Sequence, residues 1–201
     1  MLLEYGLSIY IPNPELVKPT YEQLIAGNAA EPFPFWAKQW ASSKALTKFL
    51  INQPNWVREK RVFEIGAGIG QPSYTITNKA KEVVISDYNE DAVELVNNNI
   101  SLLGLTNAKG LMIDWNDFDY TIQADVILLS DINYAPNEFK PLLQVIEHYI
   151  SKDAVVIIAT PQRIMGVPFI ESLQAFIKHT YVETIIEQGS EVMISIYVLY
   201  K

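Results

Sequence analysis

A short apolar run that ends in three closely spaced glycines constrains the fold of this chain more than any other feature. Residues 62 to 65 read Val-Phe-Glu-Ile, and Gly66, Gly68 and Gly70 follow at every second position. Glycine lets the backbone adopt positive φ angles and approach a ligand closely. Open α/β sheets bind ligands at the carboxyl ends of their strands, where such a turn would lie. The segment therefore predicts a buried strand, a glycine-rich turn and a cradle for a nucleotide-type cofactor.

The spacing of the glycines separates this turn from two common phosphate-binding motifs. The dinucleotide fingerprint G-x-G-x-x-G needs its third glycine at the position of Gln71, and no Lys-Ser or Lys-Thr pair follows to make a P-loop. Glu64, an acid just before the first glycine, favours a cofactor with a cationic amine. The pattern E-x-G-x-G-x-G resembles motif I of the seven-strand methyltransferases that use S-adenosylmethionine. A plain tight turn is the alternative for this motif alone.

A second apolar run ends in an acidic residue. Residues 83 to 86 read Val-Val-Ile-Ser and precede Asp87. A carboxylate at the end of the second strand, about 20 residues after the glycine turn, is placed to accept hydrogen bonds from ribose hydroxyls. Dinucleotide and S-adenosylmethionine sites share this geometry, so Asp87 predicts an adenosine cofactor without choosing between them. A helix cap or a solvated carboxylate is the alternative.

The composition limits the classes of function. Hydrophobic residues make up 49% of the 201 residues, which is enough for the core of one domain. No apolar run of about 18 residues and no signal-peptide pattern appears, so we expect no membrane partner. The chain has no cysteine, which is consistent with a cytoplasmic location. A net charge of −8 argues against a nucleic-acid partner. Since His148 and His179 each stand alone on a predicted helix, we expect no metal site.

An aromatic segment upstream of the glycine turn makes the resemblance more specific. Residues 35 to 42 read Phe-Trp-Ala-Lys-Gln-Trp-Ala-Ser. Together with motif I, they resemble the family 16 protein lysine methyltransferases, which include the methyltransferase-like 21 enzymes and the methyltransferase of the electron transfer flavoprotein β-subunit. Those proteins carry a similar Phe-Trp … Trp-Pro-Ser segment, and Ala41 stands where many members have Pro or Gly. The resemblance implies that Trp40 holds the methionine end of the cofactor, since a cation attracts an aromatic face. Core packing alone is the alternative.

A loop after the third predicted strand matches the same family. Residues 109 to 113 predict that strand, and Asp114 and Trp115 follow it. In the resembling family a similar Asp-Trp pair lies beside the adenine. A carboxylate can accept a hydrogen bond from the adenine amino group, and an indole can stack on the ring. Because more acidic residues follow closely, a solvated acidic loop is the alternative.

The fourth predicted strand leads to the residues that the resemblance assigns to the methyl acceptor. Residues 126 to 129 form an apolar run typical of a parallel strand covered on both faces. The following residues 131 to 134 match the D-x-x-Y of the resembling family, where it lines the mouth at which the methyl group meets the acceptor. Asp131 can hold an ammonium or help to remove its proton, and Tyr134 offers a hydroxyl and a ring. An Asp turn before a helix is the alternative.

The rest of the chain predicts the helices and the end of the sheet. Ser42 or Ser43 is expected to cap a helix, and Arg163 lies on the ligand edge, where it contacts either the substrate or only solvent. Further segments predict a strand at 154–159, a helix at 167–178, and strands at 181–186 and 192–200 that must pair antiparallel. We therefore expect an α/β fold: a Rossmann-like, doubly wound sheet of seven strands, mostly parallel with an antiparallel C-terminal hairpin and helices on both faces.

These patterns and the resemblance together define the expected function. We expect one methyltransferase domain over residues 1–201, with residues 1–40 as an N-terminal extension or cap. The resemblance implies S-adenosylmethionine-dependent methyl transfer to a lysine of a protein, with S-adenosylhomocysteine as the product. A small-molecule amine methyltransferase and a non-catalytic protein-binding module stay open, whereas the glycine spacing and terminal hairpin disfavour a nucleotide-dependent oxidoreductase. The expected cofactor residues are Trp40, Glu64, Gly66, Gly68, Asp87, Asp114 and Trp115, and the expected catalytic residues are Asp131 and Tyr134.

Overall fold

The computed structural model describes residues 1–13, 15–19, 22, 33–133, 135–161 and 163–201. Its N-terminal hairpin pairs β1 (Leu2–Glu4) with β2 (Leu7–Ile9). The main sheet consists of β3 (Arg61–Ile65), β4 (Glu82–Asp87), β5 (Ala108–Met112), β6 (Val126–Ser130), β7 (Val155–Pro161), β8 (Ile177–Glu187) and β9 (Ser190–Leu199). The expected extension at residues 1–40 lies partly outside the described residues.

The strand order of the main sheet is β5-β4-β3-β6-β7-β9-β8. Strands β3 to β7 pair in parallel, and β9 runs antiparallel between β7 and β8. From β3 the chain builds outward to one side through β4 and β5, and then returns to add β6 and β7 on the other side. This reversal makes the β3–β6 border the topological switch point, where such sheets bind ligands. The predicted α/β fold and its antiparallel C-terminal hairpin are confirmed.

Helices cover both faces of the sheet. The helices that pack on the sheet include α1 (Ala41–Asn52), α2 (Gln71–Ile76), α3 (Glu90–Leu102), α4 (Phe139–Ser151) and α5 (Val167–Ser172). Buried residues of α1, α2 and α3 pack in one hydrophobic cluster, and those of α4 and α5 pack in another on the opposite face. Among these helices, none is long and apolar enough to cross a membrane.

Two predicted helix boundaries are wrong, and His179, expected on a helix, lies in β8. Helix α1 begins at Ala41 after Trp40 without a side-chain cap, and Ser42 and Ser43 lie buried in its first turn. Burial against the sheet, rather than a capping hydroxyl, therefore decides where this helix begins. The helix predicted for 167–178 ends at Ser172, because β8 already begins at Ile177 and its backbone groups pair with β9.

The central strand β6 offers a direct test of this packing. Leu128 is completely buried in the hydrophobic cluster that contains residues of α1, α2 and α3. We expect Leu128→Ala to lower the free energy of unfolding by about 2–5 kcal/mol, because it leaves a cavity as well as removing apolar contact. Urea unfolding measures this loss. Leu102→Ala, the same change at a side chain that is 42% exposed, is the control and is expected to cost less than about 1 kcal/mol.

Candidate active site

A cleft lies at the carboxyl ends of β3, β4 and β6, at the switch point of the sheet. We call it the glycine cleft, because the turn from Gly66 to Ile69 forms its floor; the aromatic segment from Phe35 to Trp40 also lines it. Six of the predicted site residues come together along its walls. They are Trp40, Gly66, Gly68, Asp87, Trp115 and Asp131. Tyr134 lies outside the described residues.

The middle glycine of the turn allows an unusually close backbone approach. Gly68 has a φ of +53°, and a Cβ placed there would lie 2.9 Å from the carbonyl oxygen of Trp36. The short 3-10 helix Phe35–Ala37 therefore lies directly across the glycine turn. A side chain at this position would push the aromatic segment away, so the turn and the segment form one cradle.

An indole ring covers the first glycine of the turn. A Cβ on Gly66 would lie 3.2 Å from Cζ3 of Trp115 and 3.1 Å from Cγ2 of Ile132. The Trp115 Nε1 donates a hydrogen bond to Glu138 Oε2 at 2.9 Å, which fixes the orientation of the ring. Trp115 thus forms a flat apolar wall next to the turn, as a residue that stacks on an aromatic ligand would.

Asp87 ends β4 at the edge of the glycine cleft. Its Oδ2 accepts a hydrogen bond from the Gly68 amide at 2.9 Å, and its Oδ1 accepts from the Asn89 amide at 3.0 Å. Burial raises the pKa of Asp87, and these backbone N–H donors oppose the rise. Because each carboxylate oxygen has a further lone pair, the side chain can still accept hydroxyl donors of a ligand.

Glu64 lies in β3, immediately before the turn, and is completely buried. The Ser73 hydroxyl donates to its Oε2, and Oε1 has no hydrogen-bond partner among the described residues. Burial raises the pKa of Glu64 to about 7, and the hydrogen bond from Ser73 opposes the rise. A buried acceptor without a partner is rare in folded proteins. Its position beside the cradle fits a ligand or bridging group that donates hydrogen bonds.

Asp114 is exposed and does not belong to the lining of the glycine cleft. Its Oδ1 accepts from the backbone amide of Asn116 at 2.8 Å, and so caps the 3-10 helix Trp115–Asp117. The side-chain amide of Asn116 donates to the same oxygen at 3.0 Å. Asp114 therefore acts locally on the loop that carries Trp115, and its contact with adenine stays a prediction.

A second cleft adjoins the first. We call it the aromatic cleft; it is lined by Phe35, Trp40, Asp131, Arg163 and Met165 and has a volume of about 290 Å³. The Trp40 Nε1 donates to the carbonyl oxygen of Phe35 at 2.9 Å, which holds the two aromatic side chains together. Phe35, Trp40 and Asp131 line both clefts, so a ligand in one would meet a ligand in the other at these residues.

Asp131 occupies the border between the clefts in a strained backbone conformation. Its φ is +58°, in the left-handed region that non-glycine residues rarely adopt, and its amide donates to the Ala159 carbonyl at 2.9 Å. Both carboxylate oxygens pair with the guanidinium of Arg163, one of them at 3.1 Å. Such outliers cluster at functional sites. The pairing is the feature of the site that sequence reasoning missed, although Arg163 was expected at this edge.

A polar contact also joins the N-terminal hairpin to the cradle, and no sequence pattern indicates it. The carboxylate oxygen Oε2 of Glu4 accepts from Nε2 of Gln39 at 2.9 Å and from Nε2 of Gln71 at 3.0 Å. Gln39 lines the glycine cleft, and Gln71 is the first residue of α2. The hairpin therefore helps to fix the position of the aromatic segment.

Comparison with known proteins agrees with this fold. The N-methyltransferase NodS of Bradyrhizobium japonicum, solved with S-adenosyl-L-homocysteine, has a TM-score of 0.63 over 90% of this chain and 99% of that chain, at 11% identity. At this identity the likeness shows the fold alone, which is that of the Rossmann-like methyltransferases. The model of the lysine methyltransferase family matches residues 35–180. The chain belongs to this family, which confirms the resemblance seen in the sequence.

Curated relatives are similar over part of their length. The chain is 32% identical over 151 residues to the calmodulin-lysine N-methyltransferase of Arabidopsis thaliana, covering 70% of this chain and 48% of that protein. It is 28% identical over 136 residues to the histidine protein methyltransferase 1 homolog of Dictyostelium discoideum, covering 65% of this chain and 44% of that protein. The chain thus spans about half the length of these relatives, whose names indicate different acceptor residues.

The buried Glu64 predicts a pH dependence of stability. Its pKa is about 7 in the folded protein, above its ordinary value of 4.5, so the folded state binds this proton more tightly than the unfolded state. Between these values the contribution of the group to the free energy of unfolding falls as the pH rises. At about 1.4 kcal/mol per pKa unit, the fall amounts to about 3 kcal/mol.

Urea unfolding of the wild type and of Glu64→Gln measures this effect at about pH 5 and about pH 8. We expect the variant to gain stability relative to the wild type as the pH rises, because glutamine does not titrate. Glu94→Gln, the same change at an exposed position of α3, is the control. An equal stability difference at both pH values would contradict the titration of Glu64 in this range.

Proposed function

We propose that this protein is an S-adenosylmethionine-dependent N-methyltransferase whose acceptor is a lysine side chain of a protein. The observation that carries the proposal is the meeting of two clefts at Phe35, Trp40 and Asp131. One cleft has a glycine turn and a buried carboxylate that would suit an adenosine cofactor, and the other is largely apolar. A methyl transferase needs this arrangement, because donor and acceptor must be held in line. Membership of the lysine methyltransferase family supports it.

Each predicted cofactor residue has a role in the proposal that follows from its chemistry. The turn at Gly66 and Gly68 admits the cofactor backbone closely, and Glu64 and Trp40 attract its cationic methionine end. Asp87 accepts from the ribose hydroxyls. Trp115 stacks on the adenine, and Asp114, on the loop that carries Trp115, is proposed to accept a hydrogen bond from the adenine amino group.

The bound cofactor would supply an electrophilic methyl group on a positively charged sulfur, and the acceptor would need a nitrogen with a free lone pair. The chain has to align the amine and keep it neutral, since a free lysine ammonium has a pKa of about 10.4. Phe35 and Trp40 form apolar walls of the aromatic cleft, and the solvation that an amine loses on entering it favours the neutral form. Asp131 and Tyr134 are proposed to orient it.

The proposed partner is a protein that presents a lysine, as the names of several relatives suggest for those proteins. A cytoplasmic location belongs to the proposal and is supported by the absence of cysteine from the sequence. Neither a nucleic-acid partner nor a metal is part of the proposed reaction.

Calorimetric titration tests the cofactor. We expect the purified protein to bind S-adenosylmethionine and S-adenosylhomocysteine but not NADH. Asp87→Ala is expected to weaken both affinities by about tenfold or more, because a charged acceptor of two hydroxyl hydrogen bonds is lost. Asp91→Ala, the same change at an exposed position in the first turn of α3, is expected to leave them unchanged. Failure of the wild type to bind either compound would refute the proposed function.

Transfer of a radioactive methyl group into cell extract tests the acceptor. We expect label in protein, recovered as methyl-lysine after acid hydrolysis, and a loss of at least about tenfold for Asp131→Asn. Label confined to the small-molecule fraction would favour an amine methyltransferase of the same fold. Cofactor binding without transfer to either fraction would favour a non-catalytic binding module.

A further inference from the structure

The aromatic cleft contains a carboxylate that is already paired within the chain. Asp131 is only 8% exposed, and both of its oxygens face the guanidinium of Arg163. Arg163 comes from the loop after β7, whereas Asp131 follows β6, so two neighbouring strand ends bring the partners together. A forked pair of this kind has a fixed geometry, because the planar guanidinium matches the two carboxylate oxygens.

The pair changes what the cleft can bind. An unpaired, buried carboxylate would attract a cation and would hold an acceptor lysine as its ammonium form, which has no lone pair to attack a methyl group. In the described lining of the aromatic cleft, Asp131 is the one carboxylate. Its pairing therefore leaves a cleft with no net charge from these two residues, walled by Phe35, Trp40 and Met165.

We propose that Arg163 is a positioning residue of the acceptor site, which neutralises Asp131 so that the aromatic cleft accepts a neutral amine rather than a cation. The proposal rests on the proposed methyltransferase function. The acceptor ammonium loses its proton to solvent as it enters, and its lone pair then forms the new nitrogen–carbon bond. The electron pair of the breaking carbon–sulfur bond stays on sulfur. Arg163 takes no part in either bond.

The same pairing defines the class of acceptor. A guanidinium remains charged in proteins, and a free carboxylate binds it in matching bidentate geometry. Here the chain's own Arg163 occupies that carboxylate, so the cleft favours an amine, which can enter uncharged. The proposal thus separates this chain from a methyltransferase that acts on arginine side chains.

Lys38 is a second positive charge that lowers the pKa of Asp131, but its effect is weaker than that of Arg163. Burial raises the pKa of Asp131, and Arg163 opposes this rise more than Lys38 does. The Nζ of Lys38 lies 3.3 Å from Oε1 of Glu187 in β8 and 4.2 Å from the centre of the Trp40 ring. Its charge therefore already has an ion-pair partner and a cation–π partner. Arg163 is therefore the side chain whose removal exposes the charge of Asp131.

A titration of Asp131 tests the pair without any reaction. The carbon chemical shift of its carboxyl group, followed by NMR against pH, reports its pKa. We expect Arg163→Gln to raise that pKa by at least about one unit, since an opposite charge that favours the ionised form is lost. Arg163→Lys is expected to restore part of the difference. Arg58→Gln, the same change at an exposed residue at the other end of the sheet, is the control and is expected to have no effect.

The pH dependence of methyl transfer tests the role of Arg163 at the acceptor site. With total cell-extract protein as the acceptor, we expect the rate profile of Arg163→Gln to shift by about one unit towards higher pH, because the free carboxylate stabilises the ammonium. Near pH 7.5 this shift corresponds to a rate of methyl transfer about tenfold below that of the wild type, and the difference becomes smaller as the pH rises. Arg163→Lys is expected to stay near the wild-type profile, and Arg58→Gln to match it.

The outcomes distinguish this inference from the proposed function. Binding of S-adenosylhomocysteine is measured for every variant, and unchanged affinity shows that the fold and the glycine cleft are intact. A wild type that transfers no methyl group would refute the proposed function. A wild type that is active, with an Arg163→Gln profile that falls equally at all pH values or does not change, would overturn the role of Arg163. An unchanged titration of Asp131 would overturn the pair itself.

Discussion

The site depends on the close approach of two backbone segments at Gly68. Because this glycine lacks a side chain, the carbonyl oxygen of Trp36 can lie only 2.9 Å from the point where a Cβ would be. The aromatic segment is therefore held across the glycine turn at the carboxyl end of β3. Phe35 and Trp40, which line both clefts, take their positions from this contact. A larger residue at Gly68 would separate the segment from the turn and disturb both clefts together.

Three buried carboxylates surround this contact, and each is stabilised in a different way. Burial raises the pKa of Glu64, Asp87 and Asp131, as expected for acids removed from water. The Ser73 hydroxyl donates a hydrogen bond to Glu64, and backbone amides donate to Asp87. The guanidinium of Arg163 pairs with Asp131. These differences assign different chemistry to the three groups. Glu64 retains a buried oxygen without a hydrogen-bond partner among the described residues. Asp87 is held as an acceptor at the edge of the glycine cleft, and the negative charge of Asp131 is paired with Arg163.

Membership of the family and choice of acceptor depend on different parts of the molecule. The family match covers residues 35–180, and the fold is shared with methyltransferases as little as 11% identical. Relatives named for lysine and for histidine acceptors are almost equally similar to this chain. Under the proposed function, side chains of the aromatic cleft rather than the sheet would set the acceptor. A single ion pair can decide between charged and neutral acceptors, because the cleft is largely apolar.

The sequence by itself determined the parallel strands, the glycine turn and the acidic residue after β4, because short apolar runs and turn residues act locally. It also indicated Asp131 as a site residue. Only the tertiary structure decided that Ser42 and Ser43 do not cap α1 and that α5 ends early, since burial and pairing with β9 overrode local preference. Only the tertiary structure pairs Asp131 with Arg163, which lie 32 residues apart in the sequence. No periodicity links their two loops, because these meet only when β6 and β7 lie side by side.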